Sequence, residues 1–343
     1  MPVQAFAETV DQRIARPVLV GREELIVKQA DELGIDLTGV DLVDVASSPL
    51  LPELTHHLYE SRQRKGVTPA GAAAQMRQRL TFGLAMVAAG HADGFVGGAT
   101  ATYADTIRPA IQIVGLRPGI SRASALQLLV LDDRLVFCAD TMINIEPTAE
   151  ELAEIAELAA DTTRLFDIVP RTALLSFSSF GSVRHPQTDR VARAAAIVQE
   201  RRPDLVIDGE MHVEAALVEE IATENYPHSR IRGDANVLVF PGLAAANIGY
   251  KLVQRLGRAD AIGPMLMGMR HPIGPFLGAI VFVLLQTFAI DLIDRERFNL
   301  VIGGVFLAIV MFSPDGLLGL WARLSARFRS ADSPVNPRPS RRH

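Results

Sequence analysis

The chain is 343 residues long, 49% hydrophobic and 21% charged, which suits a folded protein with a sizeable core and room for two domains, and excludes a disordered chain. A net charge of −5 offers nucleic acid no global attraction, so no nucleic-acid partner is expected. The lone cysteine, Cys138, excludes an internal disulfide and any multi-thiolate metal site; with no HExxH motif and no clustered histidines, neither a metal nor a cofactor is expected.

The opening MPVQAFAETVDQRIARPVLVG has acids and no long apolar core, unlike a secretory signal. From Pro17 to about Met269, short β-branched runs alternate with longer amphipathic ones, as in βα units around a mostly parallel sheet. RPVLVG reads as a strand whose Gly21 opens a helix through REELIVKQADELG, and VDLVDV as the next strand. Thr68 and Pro69 are placed as N-cap and first residue of one helix that runs to Gly90. ALQLLVL and RLVFCAD, separated by Asp132 and Asp133, read as a hairpin. Thr148 and Glu151 form a capping box ahead of Leu152, Ile155, Ala156 and Ala159, which share a helical face. TALLSFS, LVIDGEM and ANVLVFPG repeat the strand pattern, each followed by a helix. The expected architecture is a two-lobed α/β protein.

After Pro272 the pattern changes. Residues 273–290 contain no charge, and Leu300 to Phe312 is again apolar, followed by SPDGLLGLW. A stretch of that length is just enough to span a bilayer; a buried core helix pair is the other reading. Arg323, Arg327, Arg329, Arg338, Arg341 and Arg342 follow, so by the positive-inside rule the tail and the large N-terminal part would be cytoplasmic, with lipid contact through residues 273–322. Residues 323–343 read as a basic disordered tail.

Candidates for chemistry are few. Gly94, Gly97 and Gly98 lie between a strand and a helix, where free backbone N–H groups favour an anion; taken alone, the glycines fit a tight-packing turn better. Arg108 precedes Pro109, awkward for a helix interior, so its guanidinium either enters a cleft or makes a surface ion pair. Arg62, Arg64 and Lys65 beside Gly66 are either a solvated helix end or an anion clamp. Ser178, Ser179, Ser182, Arg184 and His185 follow a strand at its carboxyl end, where ligands gather in open α/β sheets, although the hydroxyls would also serve as caps. Asp208 and Glu210 are two apart and point to one side of an extended chain. His56 and His57 read as solvated surface.

ADGFVGGATATYADTIRPAIQIVG, CADTMINIEPTAEELAEIA, LSFSSFGSVRHPQTDRV and PDLVIDGEM together resemble the phosphate acetyl/butyryl transferase family over about Pro17 to Pro272. TYADTIRPA, SFSSFGS and LMGMRHP look most like the phosphotransacetylase-like C-terminal domain of NADP-dependent malic enzymes, taken to bind acetyl-CoA as a regulator. The resemblance implies isocitrate/isopropylmalate dehydrogenase-like doubly wound sheets in two lobes, 1–119 and 120–263, with 264–272 returning to the first. It implies acetyl-CoA and phosphate as partners, a homodimer or higher oligomer, and anion-binding arginines at Arg62 and Arg108. Gly97, Gly98, Ser182 and Asp208 are the expected substrate-binding residues. The family's remaining catalytic residues, a serine and arginine with a carboxylate some way beyond, should follow GMRHP, where IGPFLGA stands. That replacement predicts a chain that binds acetyl-CoA but is impaired in turnover, with an active acyltransferase as the alternative. After Pro272 the sequence resembles the end of a branched-chain amino-acid transporter permease, marked by FSPDGLLGL, which suggests a fusion near His271 and leaves a transport component as a further alternative.

Overall fold

The computed structural model describes residues 15–97, 103–132 and 134–273. Gly98 and the apolar and basic residues from 274 onward lie outside the described residues, so the membrane, permease and tail expectations concern positions beyond them. No helix among the described residues is long and apolar enough to cross a membrane.

The first part of the chain is built on a small parallel sheet. Strand β1 (Val18–Val20) pairs with β2 (Asp41–Val43), joined through helix α1 (Glu23–Leu33). Helix α1 stops at Gly34, whose φ of 64° lets its N–H close onto the Ala30 and Asp31 carbonyls. Helix α2 (Leu51–Arg62) runs into a tight turn, Gln63–Lys65, that ends on Gly66 at φ 86°.

The helix expected from Thr68 to Gly90 is two helices. Thr68 does cap the first, α3 (Pro69–Met76), its Oγ1 accepting the Gly71 N–H at 3.0 Å. The chain then turns extended at Gln78 (ψ 125°) before α4 (Arg79–Ala88). The cause is packing. Met76 and Phe82 both belong to the core beneath the small sheet, with Leu54 and Leu58 of α2. In one continuous helix, residues six apart would face directions about 120° apart. The break lets both point inward.

Helix α5 (Tyr103–Ile113) holds Pro109 in its interior, contrary to the expectation that Arg108 would sit outside a helix. An interior proline costs about 3 kcal/mol, but Ile107 and Ala110 on this helix are at most 8% exposed. These two and Val114, the residue just past the helix end, pack on Leu84, Leu266, Met269 and Ile273, and burying an isoleucine or valine contributes about 1.5–3 kcal/mol each. Tertiary burial therefore outweighs the local penalty.

A six-stranded mixed sheet forms the rest, with strand order β6-β5-β7-β4-β3-β8. The strands are β3 (Ser124–Val130), β4 (Leu135–Ala139), β5 (Arg171–Leu175), β6 (Val206–Met211), β7 (Val237–Val239) and β8 (Asp260–Met267). The expected hairpin is β3–β4, closed by Leu131 N–H to Arg134 O at 3.0 Å. Strands β6, β5, β7 and β4 run parallel, whereas β3 is antiparallel to both β4 and β8. The order is that of a mixed sheet rather than a uniformly wound parallel one. Alternate residues go to opposite faces: Phe137 and Ala139 join α6 (Ala149–Arg164) and α7 (Pro186–Arg201), while Val136 and Cys138 join α8 (Val213–Leu217) and α10 (Leu243–Leu256). Helix α9 (Glu219–Asn225) follows α8. The α6 capping box forms as read, Thr148 N–H to Glu151 Oε2 at 2.9 Å and Glu151 N–H to Thr148 Oγ1 at 3.2 Å. Beyond β8 the chain turns back, with Phe95 N–H donating to Pro272 O at 3.2 Å and Leu266 N–H to Ile273 O at 2.9 Å.

Candidate active site

The helix break at Gln78 has a chemical result. Arg77, Gln78, Arg79 and Leu80 line a cleft of about 580 Å³ together with Asp105, Arg108 and Pro109 of α5. A second hollow of about 360 Å³ adjoins it, lined by Gly21, Arg22, Asp44, Val45 and Leu51 and again by Arg77 and Arg79. The second hollow sits where β1 and β2 end, since Gly21 follows Val20 and Asp44 follows Val43. Carboxyl ends of parallel strands are where open α/β sheets bind ligands.

Arg77, Arg79 and Arg108 are exposed and make no ion pair or side-chain hydrogen bond among the described residues. Elsewhere, Arg16, Arg122, Arg171 and Arg202 each hold a carboxylate within 3.1 Å. Cations that share a lining and hold no carboxylate in an ion pair suit a multivalent anion, although Asp105 and Asp44 line the same hollows, and a guanidinium fork satisfies two of its oxygens at once. Among the described residues no group of histidine, cysteine or carboxylate side chains could hold a metal ion.

Other sequence candidates fall elsewhere. Arg62 ends α2, half-buried, and lines neither hollow. A β-carbon on Gly97 would stand 2.6 Å from the Phe95 ring, closer than the packing allows without a shift, and one on Gly94 would make a tight 3.2 Å contact with Pro272 O. His56 is exposed and reaches only Glu60, at 3.2 Å. Ser182 Oγ accepts the Ser179 N–H at 3.0 Å and lies 3.1 Å from Ser178 Oγ. The cap of α7 is not a serine: His185 Nδ1 accepts the Gln187 N–H, and Thr188 Oγ1 accepts the His185 N–H.

Asp208 and Glu210, expected on one side, have separate surroundings because the β5–β6 register shifts between Leu174 and Leu175. Asp208 Oδ2 accepts from Arg230 N–H at 2.8 Å and Ser229 Oγ at 3.2 Å, fastening the 229–231 loop to β6. Glu210, 3% exposed, accepts from Gly181 N–H at 2.7 Å and Ser178 Oγ at 3.0 Å, fixing the turn after β5. At the end of β4, Asp140 gathers N–H groups of Ala125, Met142, Ile143 and Asn144 and the Asn144 amide. Burial pushes its carboxyl above the ordinary value, and the donors from Met142, Asn144 and Ile143 pull it back.

The family model described as "Phosphate acetyl/butaryl transferase" matches residues 2–276. The chain belongs to that family. The phosphate acetyltransferase of Bacillus subtilis (strain 168) is 39% identical over 271 residues, covering 79% of this chain and 84% of that protein. A solved phosphotransacetylase from Streptococcus pyogenes is similar in structure, with a TM-score of 0.75 and 40% identity over 79% of this chain and 83% of that one. An NADP-dependent malic enzyme of Haemophilus influenzae is 40% identical over 302 residues, 86% of this chain but 40% of the relative. Within this member of the phosphate acetyl/butaryl transferase family, Arg22, Arg77 and Arg79 are the groove residues that sequence reasoning missed. Read as helix, Arg77 and Arg79 point about 160° apart; the extended backbone at Gln78 changes that, and nothing in the Gln78 side chain signals it.

Proposed function

We propose that the chain is an active phosphate acyltransferase, converting acetyl-CoA and phosphate to acetyl phosphate and CoA. The observation that carries this is the cleft of unpaired arginines in a chain that matches phosphate acetyltransferases over most of its length. In this reading Arg77, Arg79 and Arg108 hold the phosphate dianion and aim one oxygen at the thioester carbonyl carbon. The new C–O bond forms, the C–S bond breaks, and CoA leaves as thiolate and then takes a proton from solvent. Arginines that stay charged at all working pH values neutralise the nucleophile during approach and offset the charge that develops on the carbonyl oxygen. The units built on β1–β2 and on the six-stranded sheet act as the two lobes.

The test is release of CoA from acetyl-CoA, followed with a thiol reagent, with and without inorganic phosphate. Phosphate-dependent release with acetyl phosphate as product supports the reading; acetyl-CoA bound without turnover refutes it. That second outcome would fit a regulatory acetyl-CoA-binding role, for which one observation speaks: IGPFLGA after Pro272 holds no serine, arginine or carboxylate. We also propose self-association. Helix α10 turns Ile248, Leu252 and Leu256 outward at 61%, 52% and 80% exposure, an apolar row that a second copy would cover. Sedimentation of the chain and of a Leu252→Glu variant tests it; an unchanged mass would remove α10 from the interface.

A further inference from the structure

The family to which the chain belongs is described by two acyl groups of different length, so membership leaves the acyl chain open. The lining of the Arg108 cleft bears on it. With phosphate against Arg108, the thioester carbonyl carbon must come within about 3–3.5 Å of a phosphate oxygen, which puts the acyl chain in the same cleft. Arg77, Gln78, Arg79, Asp105 and Arg108 are charged or polar; among the described residues of that lining only Leu80 and Pro109 offer an apolar side chain. The alkyl group is received by that pair. Leu80, half-buried near the start of α4, lies one turn before Gly83 on the same helix face. A β-carbon on Gly83 would stand 2.8 Å from one edge of the Phe95 ring, and one on Gly97 2.6 Å from the other edge and 3.3 Å from Leu80 Cδ2. Leu80 and Phe95 therefore press on one glycine. The Phe95 N–H is also tied to Pro272 O at 3.2 Å, so the ring is held by its backbone and at both edges.

We propose that Leu80, backed by Phe95, sets the acyl length: it closes the apolar part of the cleft behind a two-carbon acyl group and so selects acetyl-CoA over butyryl-CoA. The inference rests on the acyltransferase reading above and narrows the substrate of that same site. An acetyl methyl lies against Leu80 and Pro109. A butyryl chain carries two further methylenes, which meet Leu80 and, behind it, a ring that can yield only by moving the backbone at Gly83 or Gly97. Each methylene that an apolar pocket accepts or refuses is worth about 10- to 200-fold in kcat/KM. Cutting Leu80 back to its β-carbon opens the space as far as the Phe95 ring.

The test uses the full chain with Leu80→Ala and the smaller truncation Leu80→Val, each checked for folding by urea unfolding. CoA release is followed with a thiol reagent at fixed phosphate for acetyl-, propionyl- and butyryl-CoA. The readout is the butyryl-to-acetyl ratio of kcat/KM, which partial unfolding or uniform damage leaves unchanged. We expect the native chain to favour acetyl-CoA by at least about tenfold, with propionyl-CoA between, and Leu80→Ala to raise the ratio about 10- to 200-fold. Leu80→Val should raise it by less, and it carries the test if Leu80→Ala does not fold. A native chain that uses butyryl-CoA as well as acetyl-CoA, or folded variants that keep the native ratio, overturns the role of Leu80 and leaves the acyltransferase reading intact. Release of CoA from none of the three thioesters overturns both.

Discussion

Replacing Arg108 with glutamine separates function from folding. Its side chain is exposed and makes no ion pair among the described residues, while its neighbours Ile107 and Ala110 supply the buried face of α5. Removing the charge therefore takes nothing from the core, and an exposed substitution of this kind changes stability by no more than about 0.5 kcal/mol. For catalysis the loss is one charge-assisted contact to a phosphate, about 1.5–3 kcal/mol. Every 1.4 kcal/mol is tenfold, so kcat/KM for phosphate should fall roughly 10- to 150-fold. The assay is phosphate-dependent CoA release over a phosphate titration, beside a urea unfolding curve for each protein. A variant with native kcat/KM would refute the placement of phosphate against α5. One that loses activity together with more than about 1 kcal/mol of stability would show that Arg108 is structural.

Three further outcomes follow from particular side chains. Asp140→Ala leaves the Ala125, Met142, Ile143 and Asn144 N–H groups without their acceptor, and at about 1–3 kcal/mol for each buried orphan the urea midpoint should drop by the equivalent of at least 3 kcal/mol; a smaller loss would mean that water replaces the carboxylate. Arg202 and Arg164 hold the Asp204 carboxyl down at about 2 against an ordinary 3.8. A depressed acid stabilises the fold above its unfolded value and loses that contribution as pH falls through about 2, so Asp204→Asn should flatten the acid-unfolding curve between those two values, and an unaltered curve would contradict it. Burial pushes the Cys138 thiol up to about 12, so at pH 8 iodoacetamide should label it only at the rate of global unfolding; rapid labelling of native protein would show that the β4 core opens.

How much of this was legible depended on the range of the interaction. The Thr68 cap, the Thr148–Glu151 box and the β3–β4 hairpin were read correctly because each is written within a few neighbouring residues. Strand β8 was passed over: its sequence DAIGPMLM contains Gly263 and Pro264, and only pairing along β3 makes it a strand. Asp208 and Glu210 were expected to point to one side of the strand, and a register shift gives each its own loop to hold. Pro109 argued against a helix until the burial of Ile107, Ala110 and Val114 was set against it.

The sequence by itself determined the family, the α/β character and the helix starts at Thr68 and Thr148, and it named Arg108 as an anion-binding candidate, because motifs, caps and turns are local chemistry. Only the tertiary structure decided which arginines share a groove. Arg22, Arg77, Arg79 and Arg108 come from the end of a strand, the two sides of a broken helix and the middle of another. They meet because Met76 and Phe82 must both enter one core, and breaking the helix between them turns Arg77 and Arg79 to the same opening.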